Sequence, residues 1–574
     1  MAGSFSLRGH GDTQAGELLR VIRRPRLHSL FIFALLFSAL FILHAPLLRL
    51  PYFWDEAGYY VPAARDLLLS GSLIPHSTAT AAHPPLALAW LALWWKLSGY
   101  TPAVTRTAML LVAAFALLGV FRLARDVANL RVAVAATATT ALYPVFFVQS
   151  SLAHADLAAA ALLLWAIVFH VEHSRAGSVV AFCLAVLAKE TAVVVPVAIG
   201  LWELWWWALR RRGHDSRFAP PPTRLIASCS LALAPAVMLA AWYAYHYART
   251  GYVFGNPEFF QYNVGATLQP LRIVLALAKR LWQITGYMNL FLLTVAAAMA
   301  MAFPPQPETL GERPRERIAL DVQAIFAVVI AAQVVFYSLV GGAPLARYLL
   351  TSLPLVVIIC VSTIWRRMRQ WPVIIGIVCA GFVLAWFVNP PYPFTLEDNL
   401  AYRDYVLLHQ RAAGLVAAHY ARESGVPGAP GFGALGWERV LTAWPATDEL
   451  SRPYLGYTRV AVPVVPLKDF SAPQLLAAGR DPSQFDLALL FSTEYEPVHD
   501  VSRGFPLWRR WQTRFFGYHH DLPPEIAAQI LGGRVIFRES RNGQWVALVA
   551  IERAESARLA GERYTRADGS TRQP

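Results

Sequence analysis

Charged residues are scarce in this chain of 574 residues. Asp, Glu, Lys and Arg together make up 15% of it, whereas 56% of the residues are hydrophobic. This balance excludes an ordinary soluble protein, in which about a quarter of the residues are charged. Cysteine is also scarce, and the cysteines lie inside apolar stretches without a CxxC spacing. We therefore predict an integral membrane protein without a disulfide framework. The cysteines are Cys183, Cys229, Cys360 and Cys379.

The net charge of +14 comes largely from arginines that cluster in short runs between apolar segments. Cytoplasmic loops of membrane proteins collect Arg and Lys, so these runs indicate topology. The sequence contains no nucleic-acid-binding motif, and we expect no nucleic-acid partner. Residues 1–27 are polar and basic, and the apolar run after them lacks a cleavage site. We therefore predict an uncleaved cytoplasmic segment there.

Residues 28–389 are predicted to form a membrane domain of about 11 spans, since one span needs about 20 apolar residues. The domain includes a first outer loop, 49–103, and a later polar outer loop, 246–283. The Trp-rich segment 83–98 is ambiguous. Counting it as a span would place a cluster of arginines outside, so we predict a helix in the membrane interface. The predicted spans are about 28–48, 104–121, 132–149, 157–171, two within 178–208, 225–244, 285–303, 321–340, 348–364 and 372–389.

Hydropathy falls sharply at Asn389, and residues 390–555 have the pattern of a soluble domain. Strand-like segments and an amphipathic helix over 399–422 predict a small α/β domain on the outer surface. Residues 556–574 are polar and predict a disordered tail. The strand-like segments are 440–443, 486–491, 534–537 and 545–550.

The most unusual stretch, 51–60, follows the first predicted span. Asp55 and Glu56 lie there among aromatic residues. Carboxylates this close to hydrocarbon are costly unless they accept a proton, hold a cation or pair with a basic residue. A purely structural interpretation is that Asp55 caps the helix that follows it.

Several other polar side chains fall on the same outer face as Asp55 in this topology. Each has an ordinary explanation: His83 could cap a helix, Lys189 could pair with its neighbour, and Arg347 could extend from a helix end to water. Together they predict a shared pocket, because scattered charges would not all fall on one side. The set comprises Asp55, Glu56, His83, His154, Asp156, Lys189, Glu190 and Arg347.

The order of these motifs over about residues 28–364 resembles that of the GT-C glycosyltransferases. More narrowly, the chain is similar to bacterial members of the family that includes protein O-mannosyltransferases and the lipid A aminoarabinose transferase. The motifs are the pair Asp55-Glu56, His83-Pro84-Pro85, Asp156, Leu187-Ala188-Lys189-Glu190-Thr191, and Arg347-Tyr348-Leu349-Leu350 with Pro354.

The resemblance implies an inverting transferase in a bacterial inner membrane. It would move a sugar from a polyprenyl-phosphate donor to a periplasmic acceptor, which could be a protein, a lipid or a glycan. Asp55 would be the general base, with Glu56 and Asp156 as further acids of the catalytic cavity. The residues implied for the lipid phosphate and the substrate are His83, Lys189, Glu190, Arg249, Arg347 and Tyr348.

Other interpretations stay open at the level of sequence. No definite cofactor is implied, but His83 with Glu56, or His154 with Asp156, could hold a divalent cation, because carboxylate and imidazole suit several metals. A lipid-linked sugar transporter could also use a polar cavity within a helical bundle. An inactive scaffold whose outer domain binds a partner is a third hypothesis.

Overall fold

The computed structural model describes residues 25–221, 225–308, 313–423, 439–497 and 500–551. Predictions for the tail 556–574, and for nearly all of segment 1–27, lie outside these ranges. The described chain is helical up to residue 423, and a five-stranded sheet follows residue 439.

The α-helices up to residue 423 are α1 (Pro25–His44), α2 (Val61–Ser70), α3 (Leu86–Ser98), α4 (Pro102–Val127), α5 (Leu130–Leu142), α6 (Pro144–Gln149), α7 (Ala155–Val171), α8 (Arg175–Ala188), α9 (Val194–Arg211), α10 (Leu225–Thr250), α11 (Pro257–Phe260), α12 (Pro270–Thr285), α13 (Phe291–Ala300), α14 (Leu320–Leu339), α15 (Ser352–Arg367), α16 (Trp371–Phe387) and α17 (Ala401–Glu423).

Within the described residues, 5 helices are long and apolar enough to cross a membrane, or 6 if one bent pair counts as a span. Shorter apolar helices of 10–17 residues accompany them. The prediction of a polytopic helical membrane bundle is confirmed. The higher predicted number of spans counts several of these shorter helices as full crossings. The long helices are His28–Leu47, Pro102–Val127, Glu190–Arg211, Ser228–Thr250 and Leu320–Leu339.

The predicted span 285–303 is interrupted in the structure. Pro270–Asn289 and Phe291–Ala300 meet at an angle of 96°. Met288 and Asn289 adopt left-handed backbone conformations at the break, which end the first helix. The predicted outer loop 246–283 is also wrong in part, because α12 begins at Pro270 and brings three basic side chains with it.

The predicted break inside 178–208 is confirmed. Helix α8 ends at Ala188, and Lys189 is extended with φ −153° and ψ 131°. A single 3₁₀ turn, Glu190–Val193, then leads into α9. The break places two ionisable side chains between two apolar helices.

The C-terminal region is a mixed sheet with strand order β2-β1-β3-β5-β4. Strand β1 pairs in parallel with β2 and β3, while β5 pairs antiparallel with β3 and β4. The predicted α/β character is confirmed. Edge strand β2 is absent from the sequence prediction because it contains Pro466, which argues against a strand. The elements are β1 (Val440–Ala443), α18 (Ala446–Ser451), β2 (Val464–Leu467), α19 (Ala472–Gly479), β3 (Leu487–Phe491), α20 (Pro506–Phe516), α21 (Pro524–Leu531), β4 (Gly533–Arg541) and β5 (Gln544–Ile551).

The stretch after α1 joins the sheet region to the membrane helices. The backbone N–H of Tyr52 donates to the carbonyl oxygen of Leu455 at 3.4 Å. The hydroxyl of Tyr457 donates to the carbonyl oxygen of Tyr52 at 3.0 Å. The ring of Phe53 lies 5.2 Å from that of Tyr405 in α17, edge to face. Residues 51–60 therefore lie between the two parts of the molecule.

Candidate functional site

A cavity of about 1120 Å³ lies between the membrane helices and the C-terminal region. Its size suits a substrate larger than a simple metabolite. Side chains from both parts of the molecule line it. The residues of the predicted site that line it are Asp55, His83, Lys189, Glu190, Arg347 and Tyr348.

Asp55 faces this cavity because of the backbone around it. Trp54 has a left-handed conformation with φ 41°, and a π-helical turn, Glu56–Tyr60, begins directly after Asp55. The Asp55 side chain makes no capping hydrogen bond to this turn, so the helix-cap interpretation is wrong. Its carboxylate accepts a hydrogen bond from Arg347 and remains 34% exposed.

Arg347 gathers three carboxylates at one end of the cavity. Besides Asp55, its guanidinium contacts Glu397 at 2.5 Å and Asp156 at 3.5 Å. Arg347, Asp156 and Glu397 are all buried. Burial raises the pKa of Glu397 to about 8 and that of the neighbouring Asp398 to about 6. Arg347 is therefore a buried hub, and the interpretation of a side chain reaching to water from a helix end is wrong.

The remaining charged groups at this end form two further pairs. The Lys189 ammonium lies 2.5 Å from Asp156 and sits over the Tyr348 ring, 4.4 Å from its centre. Glu190 pairs with His83 at 2.8 Å. Lys189 and Glu190 therefore do not pair with each other as the sequence suggested. His83 does not act as a helix cap either.

Four predicted site residues do not line the cavity, namely Glu56, His154, Asp156 and Arg249. Glu56 is fully buried and bound by Arg106, whose Nη2 lies 2.9 Å from Oε2. The backbone N–H of Ala153 donates to the other oxygen of Glu56 at 2.6 Å. This set of contacts gives Glu56 a structural role. Arg249 is exposed in the last turn of α10 and lies outside the cavity lining.

The residues predicted to hold a divalent cation do not fit a metal ion. Among the described residues, no group of three or more His, Cys, Asp or Glu side chains could hold one together. Each member of the predicted set has another partner: Glu56 an arginine, His83 the carboxylate of Glu190, and His154 the amide oxygen of Gln149 at 2.8 Å. Glu56, His83 and His154 therefore do not form the predicted cation site.

A second charged end of the cavity is built from α12. Arg272 and Lys279 line it, and Arg280 is fully buried behind them. Arg272 donates to two backbone carbonyl groups at 2.8 Å, and Arg280 donates to the amide oxygen of Gln283 at 2.8 Å. The Lys279 ammonium lies 5.5 Å from the centre of the Phe516 ring. None of these contacts is to a carboxylate, so the positive charges favour an anionic ligand.

The C-terminal region supplies the opposite wall of this basic end. Helix α20 contributes Gln512 and Phe516, and Tyr518 follows it. Glu494, in the loop after β3, also faces the cavity. Burial raises the pKa of Glu494 to about 7, although the charges of His519 and Lys279 oppose the shift. A group with this pKa changes charge near neutral pH.

Sequence reasoning missed several of these residues, although signals were present. Glu397 and Asp398 form an acidic pair just beyond the last span, on the face predicted for Asp55. Arg106 is a lone charge inside a predicted span, a type of residue that usually has a partner or a function. The cations of α12 follow a spacing of seven and eight residues, which places them on one helical face.

The comparisons with known proteins agree with the sequence motifs. Residues 82–238 match the family model described as dolichyl-phosphate-mannose-protein mannosyltransferase. This segment contains His83, Asp156, Lys189 and Glu190. No curated protein matches the sequence.

Several solved structures have a similar chain trace. ArnT from Cupriavidus metallidurans in the apo state has 14% identity and a TM-score of 0.48, covering 91% of this chain and 97% of that one. The same enzyme bound to undecaprenyl phosphate has 13% identity and a TM-score of 0.47, covering 92% and 98%. The Archaeoglobus fulgidus oligosaccharyltransferase with zinc and sulfate has 11% identity and a TM-score of 0.43, covering 90% and 72%.

The family match confirms the resemblance to the GT-C glycosyltransferases that the motifs indicate. The apolar helices agree with the multi-pass membrane location. The chain is therefore a membrane glycosyltransferase that over residues 82–238 is similar to the lipid-phosphate-dependent mannosyltransferases.

Proposed function

We propose that the protein transfers a sugar from a polyprenyl-phosphate donor to an acceptor hydroxyl, with inversion at C1. The reaction takes place on the outer side of a bacterial inner membrane, in the periplasm. The observation that carries this proposal is the position of Asp55, a partly exposed carboxylate at the wall of a large cavity. Asp55 is the most exposed of the three carboxylates around Arg347.

Asp55 is the proposed general base. As the acceptor oxygen attacks C1 of the sugar, the carboxylate takes the proton from that hydroxyl. The bond between C1 and the phosphate oxygen breaks on the opposite face of the sugar, and polyprenyl phosphate leaves with the bonding electrons. Positioned general-base catalysis contributes about 10²–10⁴-fold to the rate. Arg347 supports it by fixing the direction of the carboxylate.

The basic end formed by α12 suits the leaving phosphate better than the residues predicted from sequence. Arg347 and Lys189 are already paired with carboxylates, and Arg249 lies outside the cavity. Arg272 and Lys279 face the cavity without such partners. Cations placed where negative charge develops stabilise the transition state. We therefore assign the phosphate to Arg272 and Lys279.

The transporter hypothesis has less support. A transporter is expected to carry its charged residues near the bilayer midplane, at the ends of broken helices. Here the charged side chains that face the cavity come from residues of the membrane helices, of the loops and of the C-terminal region, including Glu494. An enzyme that brings a lipid-borne donor and an acceptor together at a membrane surface needs this arrangement.

The direct test is sugar transfer by the purified protein in detergent or in vesicles. Labelled sugar on a polyprenyl-phosphate carrier is supplied with extracts of periplasmic and membrane acceptors. We expect labelled product and release of polyprenyl phosphate in equal amounts. Movement of the intact donor across vesicles without release of polyprenyl phosphate would support the transporter and overturn the transferase.

Replacing Lys279 by Met is expected to weaken donor binding. Loss of one charged contact to phosphate costs about 1.5–3 kcal/mol, so the KM for donor rises at least ~10-fold. We expect kcat to fall as well, because Lys279 also stabilises the charge that develops on the leaving phosphate. Arg249→Met is the matched control, since this arginine is exposed and outside the cavity. An equal KM for wild type and Lys279→Met would remove Lys279 from the phosphate site.

Donor binding is expected to weaken as the pH rises through about 7. The pKa of Glu494 is raised by burial to about 7, so the side chain is neutral below this pH and anionic above it. The new negative charge opposes that of the phosphate and partly neutralises Lys279. We expect the KM for donor to rise at least ~3-fold between pH 6 and pH 8. Glu494→Gln should show a smaller rise than wild type. A rise of the same size in this variant would assign the effect to another group.

A further inference from the structure

The backbone at Trp54 has a conformation that side chains other than glycine rarely adopt. Its φ of 41° lies in the left-handed region. Such a conformation persists only where the surroundings impose it. Asp55 is the next residue, so the direction of its carboxylate depends directly on this backbone.

Two aromatic side chains of the C-terminal region hold the indole of Trp54. The ring of Trp444 lies 5.5 Å away at an interplanar angle of 85°, edge to face. The ring of Tyr405 lies 5.5 Å away at 60°. Trp444 directly follows β1, and Tyr405 is buried in α17. Elements far along the chain therefore fix the residue before Asp55.

Gly58 allows Trp444 to lie this close. A Cβ atom added to Gly58 would fall 2.5 Å from Cζ2 of the Trp444 ring, which is closer than atoms can approach. Gly58 belongs to the same π-helical turn that follows Asp55, and its N–H donates to the carbonyl oxygen of Trp54 at 2.9 Å. The indole of Trp444 thus packs on the turn that carries the catalytic carboxylate.

Core packing alone does not explain Trp444. Its side chain is 41% exposed, unlike Tyr405, which is 1% exposed. A large aromatic ring that only stabilises a domain is normally buried more completely. Its ring packs on Trp54 and Gly58, which flank Asp55, and its indole N–H also donates to the Asp448 carboxylate.

We infer that Trp444 is a positioning residue: with Tyr405 it clamps Trp54 and so directs Asp55 into the cavity. The C-terminal region is then part of the catalytic machinery. This inference rests on the proposed role of Asp55 as general base. It predicts a lower kcat with donor binding retained. The clamp lies beside Asp55, at the end of the cavity that holds the carboxylates, whereas Arg272 and Lys279, which are assigned to the phosphate, belong to α12.

The test compares Trp444→Ala, Gly58→Ala and the double variant. Each single change displaces the indole from Trp54, so we expect kcat to fall at least ~10-fold while the KM for donor stays within ~2-fold. In the double variant the added methyl group meets no ring. Its activity should therefore equal that of Trp444→Ala within ~2-fold, a clear departure from additivity. Trp444→Phe keeps an aromatic edge and should retain about a third of the activity or more.

Phe505→Ala is the matched control, because this aromatic side chain of the C-terminal region is 67% exposed and outside the cavity lining. Thermal unfolding of each variant shows whether it is folded. If Trp444→Ala is unstable, Gly58→Ala and Trp444→Phe still separate the alternatives. Additive losses, or full activity of Trp444→Ala, would overturn the clamp. Full activity of Asp55→Asn would instead overturn the general base itself.

Discussion

Asp55→Asn lowers the rate of sugar transfer at least ~100-fold, which is the expected loss when a positioned general base is removed. Asn has nearly the volume of Asp, so the cavity keeps its shape. The amide cannot take a proton from the acceptor hydroxyl. Arg347 keeps Glu397 and Asp156 as partners, so the variant should fold normally and bind donor with unchanged affinity.

Two measurements separate chemistry from binding in this variant. Single-turnover transfer measures the rate of the chemical step. Equilibrium binding of polyprenyl phosphate measures the affinity of the basic end of the cavity for the phosphate. Asp215→Asn serves as the control, since this carboxylate is 74% exposed beyond α9. Equal transfer rates for wild type and Asp55→Asn would place the base elsewhere, with Asp156 as the next candidate.

Arg347→Met is expected to abolish activity and to destabilise the fold. The change leaves Asp55, Asp156 and Glu397 without their shared cation. Breaking a buried ion pair by removing one partner typically costs about 3–5 kcal/mol. Denaturation in detergent should show this loss, together with transfer below the limit of detection.

A second substitution tests the physical cause of that loss. Arg347→Lys, in place of Met, keeps a cation among the three carboxylates but lacks the planar guanidinium that contacts all of them. We expect it to recover part of the stability, while activity stays low because Asp55 has lost its guanidinium partner. Arg249→Met should change the stability by less than about 0.5 kcal/mol, as exposed substitutions usually do. Unchanged stability of Arg347→Met would contradict the role of Arg347 as a hub.

The sequence could predict which side chains meet, but only in part how they pair. Helix count and arginine distribution place Asp55, His83, Lys189 and Arg347 on one face, and all four line the cavity. Their partners depend on side-chain directions that no periodicity encodes. Lys189 lies beside Glu190 in sequence, yet its ammonium binds Asp156 from another helix.

The adjacent acids Asp55 and Glu56 show most clearly what the sequence could not predict. They look equivalent in the sequence, and both are predicted as catalytic. The turn after Trp54 directs Asp55 to the cavity and Glu56 into the interior, where Arg106 binds it. A left-handed residue and a π-helical turn have no reliable sequence signal apart from glycine, so this division could not be predicted.

The bend between α12 and α13 could not be predicted from the sequence either. Residues 285–303 are apolar enough for a span, and the local signals of a break, Gly286 and Asn289, are weak beside that hydropathy. The side-chain amide of Asn289 donates to the carbonyl oxygen of Gly381 in α16 at 2.9 Å, a contact between segments distant in sequence. Tertiary contacts of this kind override local hydropathy.

The wall of the cavity is drawn from nearly the whole length of the chain, from Phe53 to Tyr518. During synthesis, Asp55 leaves the ribosome long before α20 does. A nascent or prematurely terminated chain that ends before α20 therefore has a basic end open to solvent, without the aromatic side chains that enclose it. We therefore expect a chain that ends before α20 to lack transferase activity.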